Sequence, residues 1–317
     1  MSKAKGNFVC HDELGICCPV DPASLFTAPK EKKPVEIYMF IDPLCPECWV
    51  LEPFVRKLQM EYSHYVTIKT FIGKGASAYT PASDKDVQKL IRDMAKSYNA
   101  TACRTGMPCN GDVWYEHKIT MPYTANLGIK AAELQGKAIG SKFLRRVREA
   151  LFLKKKNIAD KDTLIECAKF IDGMDVDEFM KDLDSDSPKI ALESDERTTQ
   201  EMEVNQLPTL VFFGEDVNEP GLKVEGHYPY EVYVQIIEEL VGKPLKKCPP
   251  IPLQEFISFY SIVTEKEIAV LYDLSLDDVH REMKKLKLKQ IVNEVPTRQG
   301  FLWQYKKVDD FQQTNSL

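Results

Sequence analysis

No stretch of this 317-residue chain is apolar for long enough to cross a bilayer. The longest uncharged apolar run, around Leu207–Gly214, falls far short of the roughly 20 residues a membrane helix needs. Residues 1–30 also lack the apolar run of a secretory leader. These absences predict a cytosolic protein. A basic excess is missing too. The 42 Lys and Arg against 48 Asp and Glu leave a net charge of −6, which excludes the whole chain as a polyanion binder. There is no internal repeat. Nine cysteines without a leader do not suggest a disulfide scaffold; they argue for free thiols, a metal or a redox pair. What is present is ordinary for a folded protein, 44% hydrophobic and 28% charged, and the length predicts two domains.

Residues 1–33 are polar, carry scattered Pro and Gly, and read as a flexible arm ending in the charged run Lys30–Lys33. Val35–Ile41 is β-branched and aromatic, a buried strand by composition. From Pro46 the apolar residues Trp49, Phe54, Val55 and Leu58 recur at helical spacing, and Tyr65–Phe71 then alternates as a second strand, giving a βαβ unit. Residues 83–200 change period. Val87, Leu90, Ile91 and Met94, then Phe143, Val147 and Leu151, then Leu164 and Ala168, mark amphipathic helices in a helical insertion. The acidic starts around Asp160 and Asp175 suit helix N-termini.

Strand character returns at Thr209–Phe213 and Gly221–Gly226, which read as a hairpin. A helix over Tyr230–Val241 follows, stopped by Gly242 and Pro244. These elements delimit a domain over 34–243. Residues 244–252 are a proline-rich linker. A smaller domain over 253–308 reads as helices at Phe256–Ile262, Lys266–Tyr272 and from a Ser275 cap to Lys287, then a hairpin of Ile291–Glu294 with Gly300–Tyr305. That order is winged-helix-like, and residues 309–317 are a polar tail.

The chemistry gathers at Cys45-Pro46-Glu47-Cys48, with Gln206-Leu207-Pro208-Thr209 about 160 residues later. A CxxC between a strand and a helix is the redox corner of a thioredoxin fold. The helix N-terminus stabilises a thiolate at Cys45, and one helical turn puts Cys48 where it can resolve a mixed disulfide. Pro208 is the expected cis-proline opposite the pair. Leu44, Pro46, Leu207 and Pro208 are the candidate walls of a peptide groove beside Cys45. Half a zinc site is the competing reading, but no second cysteine pair has zinc-ribbon spacing. The expected fold class is α/β: a thioredoxin fold with a helical insertion and a small winged-helix-like α+β C-terminal domain.

Several segments together carry a closer resemblance. These are Val35–Trp49, Cys109–Trp114, Lys130–Gly136, Pro208–Phe213, Gly221–Gly226 and Asp273–Leu276. Over about 34 to 305 the chain resembles the cytosolic DsbA-like proteins of low-GC Gram-positive bacteria, the YjbH or SpxH family. The resemblance implies a DsbA-like domain and an adaptor rather than an enzyme. Such an adaptor binds the transcription factor Spx and presents it to the ClpXP protease in response to thiol or oxidative stress. It also implies that no thiol turnover is required. The alternative is a cytosolic thiol–disulfide oxidoreductase attacking with Cys45 and resolving with Cys48.

Cys10, His11, Cys17 and Cys18 bring three thiols and an imidazole within nine residues, a donor set suited to Zn²⁺. Exposed thiols on an arm are the alternative. The family resemblance implies a His-rich zinc-binding N-terminus that oxidants disrupt, whereas this chain has one His and three Cys there. In the C-terminal domain, His280–Gln290 is a basic stretch in a helix–turn–helix position, but Asp277, Asp278, Glu282 and Glu294 surround it, so protein contact is favoured over DNA. Cys103 and Cys109 read as non-catalytic loop residues, Cys167 as core, and Cys248 as an exposed linker thiol.

Overall fold

A computed structural model describes residues 8–11, 16–19, 33–73, 75, 83–117, 119, 123–216 and 218–306, the first two stretches as backbone alone. Within the segment read as an arm, β1 (Phe8–His11) and β2 (Ile16–Pro19) form an antiparallel ribbon with Cys10 opposite Cys17.

The main sheet has the order β4-β3-β5-β6. Its centre is β3 (Val35–Ile41), parallel to β4 (Val66–Ile72) and antiparallel to β5 (Thr209–Phe213); β6 (Leu222–Glu225) pairs with β5 at the edge. Helix α1 (Pro46–Tyr62) makes the crossover from β3 to β4. A later helix, α9 (Tyr230–Val241), lies on the same face, where Val35, Ile37, Leu51, Val55, Phe212, Tyr233 and Ile237 form one core. The period-two alternation of β3 and the three-and-four spacing of α1 are what make these faces meet. Gly242 ends α9 at φ 71°, a left-handed conformation that suits glycine.

The described residues of 84–201 form seven α-helices: α2 (Asp84–Thr105), α3 (Val113–Glu116), α4 (Tyr123–Leu134), α5 (Lys137–Arg148), α6 (Lys161–Lys169), α7 (Val176–Leu183) and α8 (Ser187–Glu201). Helix α5 runs on into a π-helical turn over Glu149–Leu153. The side chains of Asp160 and Asp175 cap α6 and α7, as their positions before the apolar periods predicted. The insertion is fused to the first turn of α1. Trp49 stacks on Phe152 at 5.3 Å, and its indole N–H donates to the Pro108 carbonyl at 3.1 Å. Tyr98 meets Trp114 edge-on at 5.8 Å. Full burial of a large side chain of this kind contributes roughly 2–3 kcal/mol.

The C-terminal module comprises α10 (Leu253–Tyr260), β7 (Ile262–Thr264), α11 (Glu265–Tyr272), α12 (Leu276–Leu288), β8 (Val292–Thr297) and β9 (Gly300–Tyr305), with sheet order β7-β9-β8. The order is helix, strand, two helices and a hairpin; the helix expected to run through Ile262 stops before it, and Ile262 begins β7. Ser261 takes φ 62° and ends α10, so Ile262-Val263-Thr264 is free to pair with Leu302–Gln304. Thr264 then caps α11 in a capping box with Glu267.

The linker cysteine is also corrected. Cys248 is buried, because its backbone N–H donates to the Glu61 carbonyl at 2.8 Å and lays the linker on the end of α1. Its sulfur sits 3.1 Å from His64 Nε2. Among the described residues, no helix is long and apolar enough to cross a membrane.

Candidate functional site

Strand β3 ends at Ile41, and the turn that follows, starting at Asp42, delivers Cys45 to the N-cap of α1, where its sulfur accepts the Cys48 N–H at 3.4 Å. Hydrogen bonding, first from the Cys48 side chain and then from backbone N–H groups, holds the Cys45 thiol below its ordinary range against the opposing effect of burial. Burial, followed by hydrogen bonding and charge repulsion from Cys45, drives the Cys48 thiol well above its ordinary value. The pair is therefore divided. Cys45 is half-buried and the readier of the two to ionise, while Cys48 is enclosed and the harder to ionise. Leu207–Pro208 is a cis peptide bond, and the Leu207 carbonyl lies 3.9 Å from Cys45 Sγ.

A cavity of about 270 Å³ opens beside Cys45. Pro46 and Leu207 line it, together with Met94 and Ser97 of α2 and Thr199 of α8. Pro208, expected as a wall, is buried and does not line it. Leu44 does not line it: its side chain is fully buried and its carbonyl accepts the Tyr98 hydroxyl at 2.6 Å. The apolar groove wall expected from Leu44 is instead part of the core, because the turn before the CxxC points inward.

Residues the sequence reading passed over complete the site. Asp42 is buried, accepts the Leu44 N–H at 2.8 Å, and its backbone N–H approaches Cys48 Sγ at 3.5 Å. Gly75 lies so close that a Cβ there would fall 2.1 Å from the Asp42 carboxylate. On the outer side, His227 Nε2 donates to the Glu47 backbone carbonyl at 2.6 Å. Burial holds the His227 imidazole below its ordinary range, so it is neutral near pH 7. The Glu47 carboxylate takes Arg104 and Thr101 at 2.6 Å each. Burial alone would raise Glu47, but those two hydrogen bonds outweigh it and keep it ionised. The position of Asp42 three residues before Cys45 was a readable signal; His227 and Arg104 carried none.

The remaining candidates lie apart. Cys10, His11, Cys17 and Cys18 fall on the ribbon, and their side chains are outside the described residues. Among the described residues, no group of three or more His, Cys, Asp or Glu is placed to hold a metal. The basic stretch of α12 is largely neutralised: Lys284 and Lys287 both bond Glu294, Lys285 bonds Glu282, and Arg281 bonds Asp278.

A strand–CxxC–helix corner facing a cis-proline across a mixed sheet defines a thioredoxin-class protein, and the thioredoxin family pattern matches residues 38–235. A solved Nitrosomonas europaea structure, described as a protein disulfide isomerase, superposes with TM-score 0.52 at 19% identity. It covers 67% of this chain and 97% of its own, and shows the fold alone. The chain is 46% identical over 297 residues to the ClpXP adapter protein SpxH of Halalkalibacterium halodurans, covering 93% of this chain and 96% of the relative. It is 44% identical over 274 residues to the SpxH of Bacillus subtilis, covering 86% and 89%. This chain belongs to the SpxH family of ClpXP adapter proteins.

Proposed function

We propose that this protein is a cytosolic adaptor that binds the transcription factor Spx and promotes its degradation by ClpXP. The observation that carries the reading is near-full-length similarity to proteins named for that role, spanning both the thioredoxin-class module and the C-terminal module. The site is compatible with it. A shallow cavity next to Cys45, walled by α2, α8 and the Leu207 loop, offers an extended chain a surface without demanding a reaction. In this reading the chain divides at residues 34–243 and 253–308, with 244–252 as the linker.

The decisive experiment is reconstituted degradation of Spx by ClpXP with and without this protein. Acceleration should survive in the Cys45→Ala, Cys48→Ala double variant. Loss of acceleration in a folded double variant would overturn the non-enzymatic mechanism.

A second reading keeps the thiols active. The lowered Cys45 thiol, the protonated Cys48 and the nearby Leu207 carbonyl are what a thiol–disulfide oxidoreductase requires. Catalysed reduction of a mixed-disulfide peptide, abolished by Cys45→Ala, would establish it.

We also propose that Cys10, His11, Cys17 and Cys18 hold zinc and make the adaptor responsive to oxidants. The donor types suit the ion, and the backbone register sets Cys10 across from Cys17. Elemental analysis of reduced protein, purified without chelator, should give about one zinc per chain; none would sink the assignment.

A further inference from the structure

A second cavity lies away from the cysteines. It is about 600 Å³, within the size range of small-molecule sites, and lies where α1, β4 and α5 meet α10 and β9. Its charge is unusual. Arg56, Arg145, Arg146 and Arg148 line it. The carboxylates that pair with them are Glu52, Glu149 and Glu267. The cluster, buried apart from the half-buried Arg146 and Glu52, therefore has four arginines and three glutamates, and each glutamate is already shared. Lys142 and Lys154 add positive charge at the same cavity, against Asp172.

The imbalance falls on particular atoms. Arg148 is 3% exposed and uses only Nη1, at 3.3 Å from Glu52; its Nε and Nη2 find no acceptor among the described residues. These two nitrogens form one edge of the guanidinium, the fork that takes two oxygens of an oxyanion side by side. Arg56 Nη1 is likewise without a hydrogen-bond acceptor among the described residues, with Glu267 Oε1 at 3.6 Å. Buried, unpartnered cationic donors are costly, so an anion seated there recovers free energy the protein alone does not.

We propose that this cavity binds a small organic phosphate monoester, with its phosphate held at Arg148 beside Arg56. The net positive lining favours a dianion over a carboxylate. The volume far exceeds a bare phosphate, and the apolar remainder, Met39, Ile68, Phe259 and Tyr260, is suited to an organic body. The cavity shares no lining residue with the Cys45 groove, and the proposal does not rest on the adaptor reading.

The test is titration calorimetry on the full chain at low salt, with phenyl phosphate and with inorganic phosphate as probes. One saturable site per chain for phenyl phosphate, with weaker binding of inorganic phosphate, is expected. Arg148→Lys keeps the charge but removes the fork, and should weaken phenyl phosphate by about tenfold. Should that variant fail to fold by circular dichroism, Lys142→Glu on the half-buried rim provides the check, with an expected weakening of about threefold or more. No saturable binding of phenyl phosphate, equal binding of both probes, or binding unchanged in whichever variant folds overturns the proposal.

Discussion

Arg145 and Glu267 stand 122 positions apart in the chain and form a two-pronged ion pair, Nη1 to Oε1 at 2.7 Å and Nη2 to Oε2 at 3.3 Å. Arg145 is on α5 of the insertion and Glu267 on α11 of the C-terminal module, and both are buried. Around them Glu52 and Glu149 bind the same arginine, and Trp49 lies 4.7 Å from its guanidinium. The junction between the two modules is thus a buried charge network rather than a surface contact. Glu267→Gln keeps the shape and uncouples the charge. It should lower unfolding stability by about 3 kcal/mol in urea titration, as breaking a buried pair does. A loss under about 1 kcal/mol would mean the network does not hold the modules together.

Glu52 predicts the acid limb of stability. Burial alone would raise its carboxyl, but Arg56, Arg145 and Arg148 outweigh that and hold it at about 2, against an ordinary 4.5. A folded value below the unfolded one means the contribution is present above pH 4.5 and is lost as pH falls from 4.5 toward 2. Denaturation midpoints measured across that window should fall steeply in the native protein. In Glu52→Gln they should be lower at pH 7 and flatter below pH 4.5. Parallel curves for the two proteins would contradict the assignment.

The two thiols of the CxxC should separate by reactivity. Cys45 alkylation by iodoacetamide should reach half its limiting rate below pH 9, while Cys48 stays unmodified in the folded protein. Since the Cys48 side chain is the largest influence lowering Cys45, Cys48→Ala should move the Cys45 midpoint upward. Mass-spectrometric rates against pH decide it; an unmoved midpoint would remove Cys48 from that role.

The cavity beside Cys45 can be closed without disturbing the core. Ser97 is exposed on α2 and lines it, so Ser97→Trp should leave the fold intact by circular dichroism. Client binding, measured by fluorescence anisotropy with labelled Spx, should weaken by about tenfold if the chain threads this groove. Unchanged affinity would place the client elsewhere on the molecule.

Much of the scaffold was legible because it is encoded locally. The CxxC at the start of α1, Pro208 ahead of β5, the Asp160, Asp175 and Ser275 caps, and Gly242 after α9 are each set by a few neighbouring residues and by the dihedral or donor that position requires. The expected strand–helix–strand unit and the helical insertion follow from periodicity, which records which face of an element is apolar. The misreadings share one cause. Leu44, Cys248 and Ile262 are placed by contacts to Tyr98, Glu61 and β9, none of them sequence neighbours.

The sequence by itself determined the class of fold, the position of the paired thiols at a helix N-terminus, and the family. Those depend on short-range spacing and on similarity along the whole chain. Only the tertiary structure decided which helices wall the groove, and that Cys45 ionises more readily than the enclosed Cys48. It also showed that Arg145 and Arg148, which the sequence did not single out, lie buried against α1 and α11. Periodicity tells a helix which side to hide. It carries no information about which charge, from 93 or 122 residues away, will be waiting there.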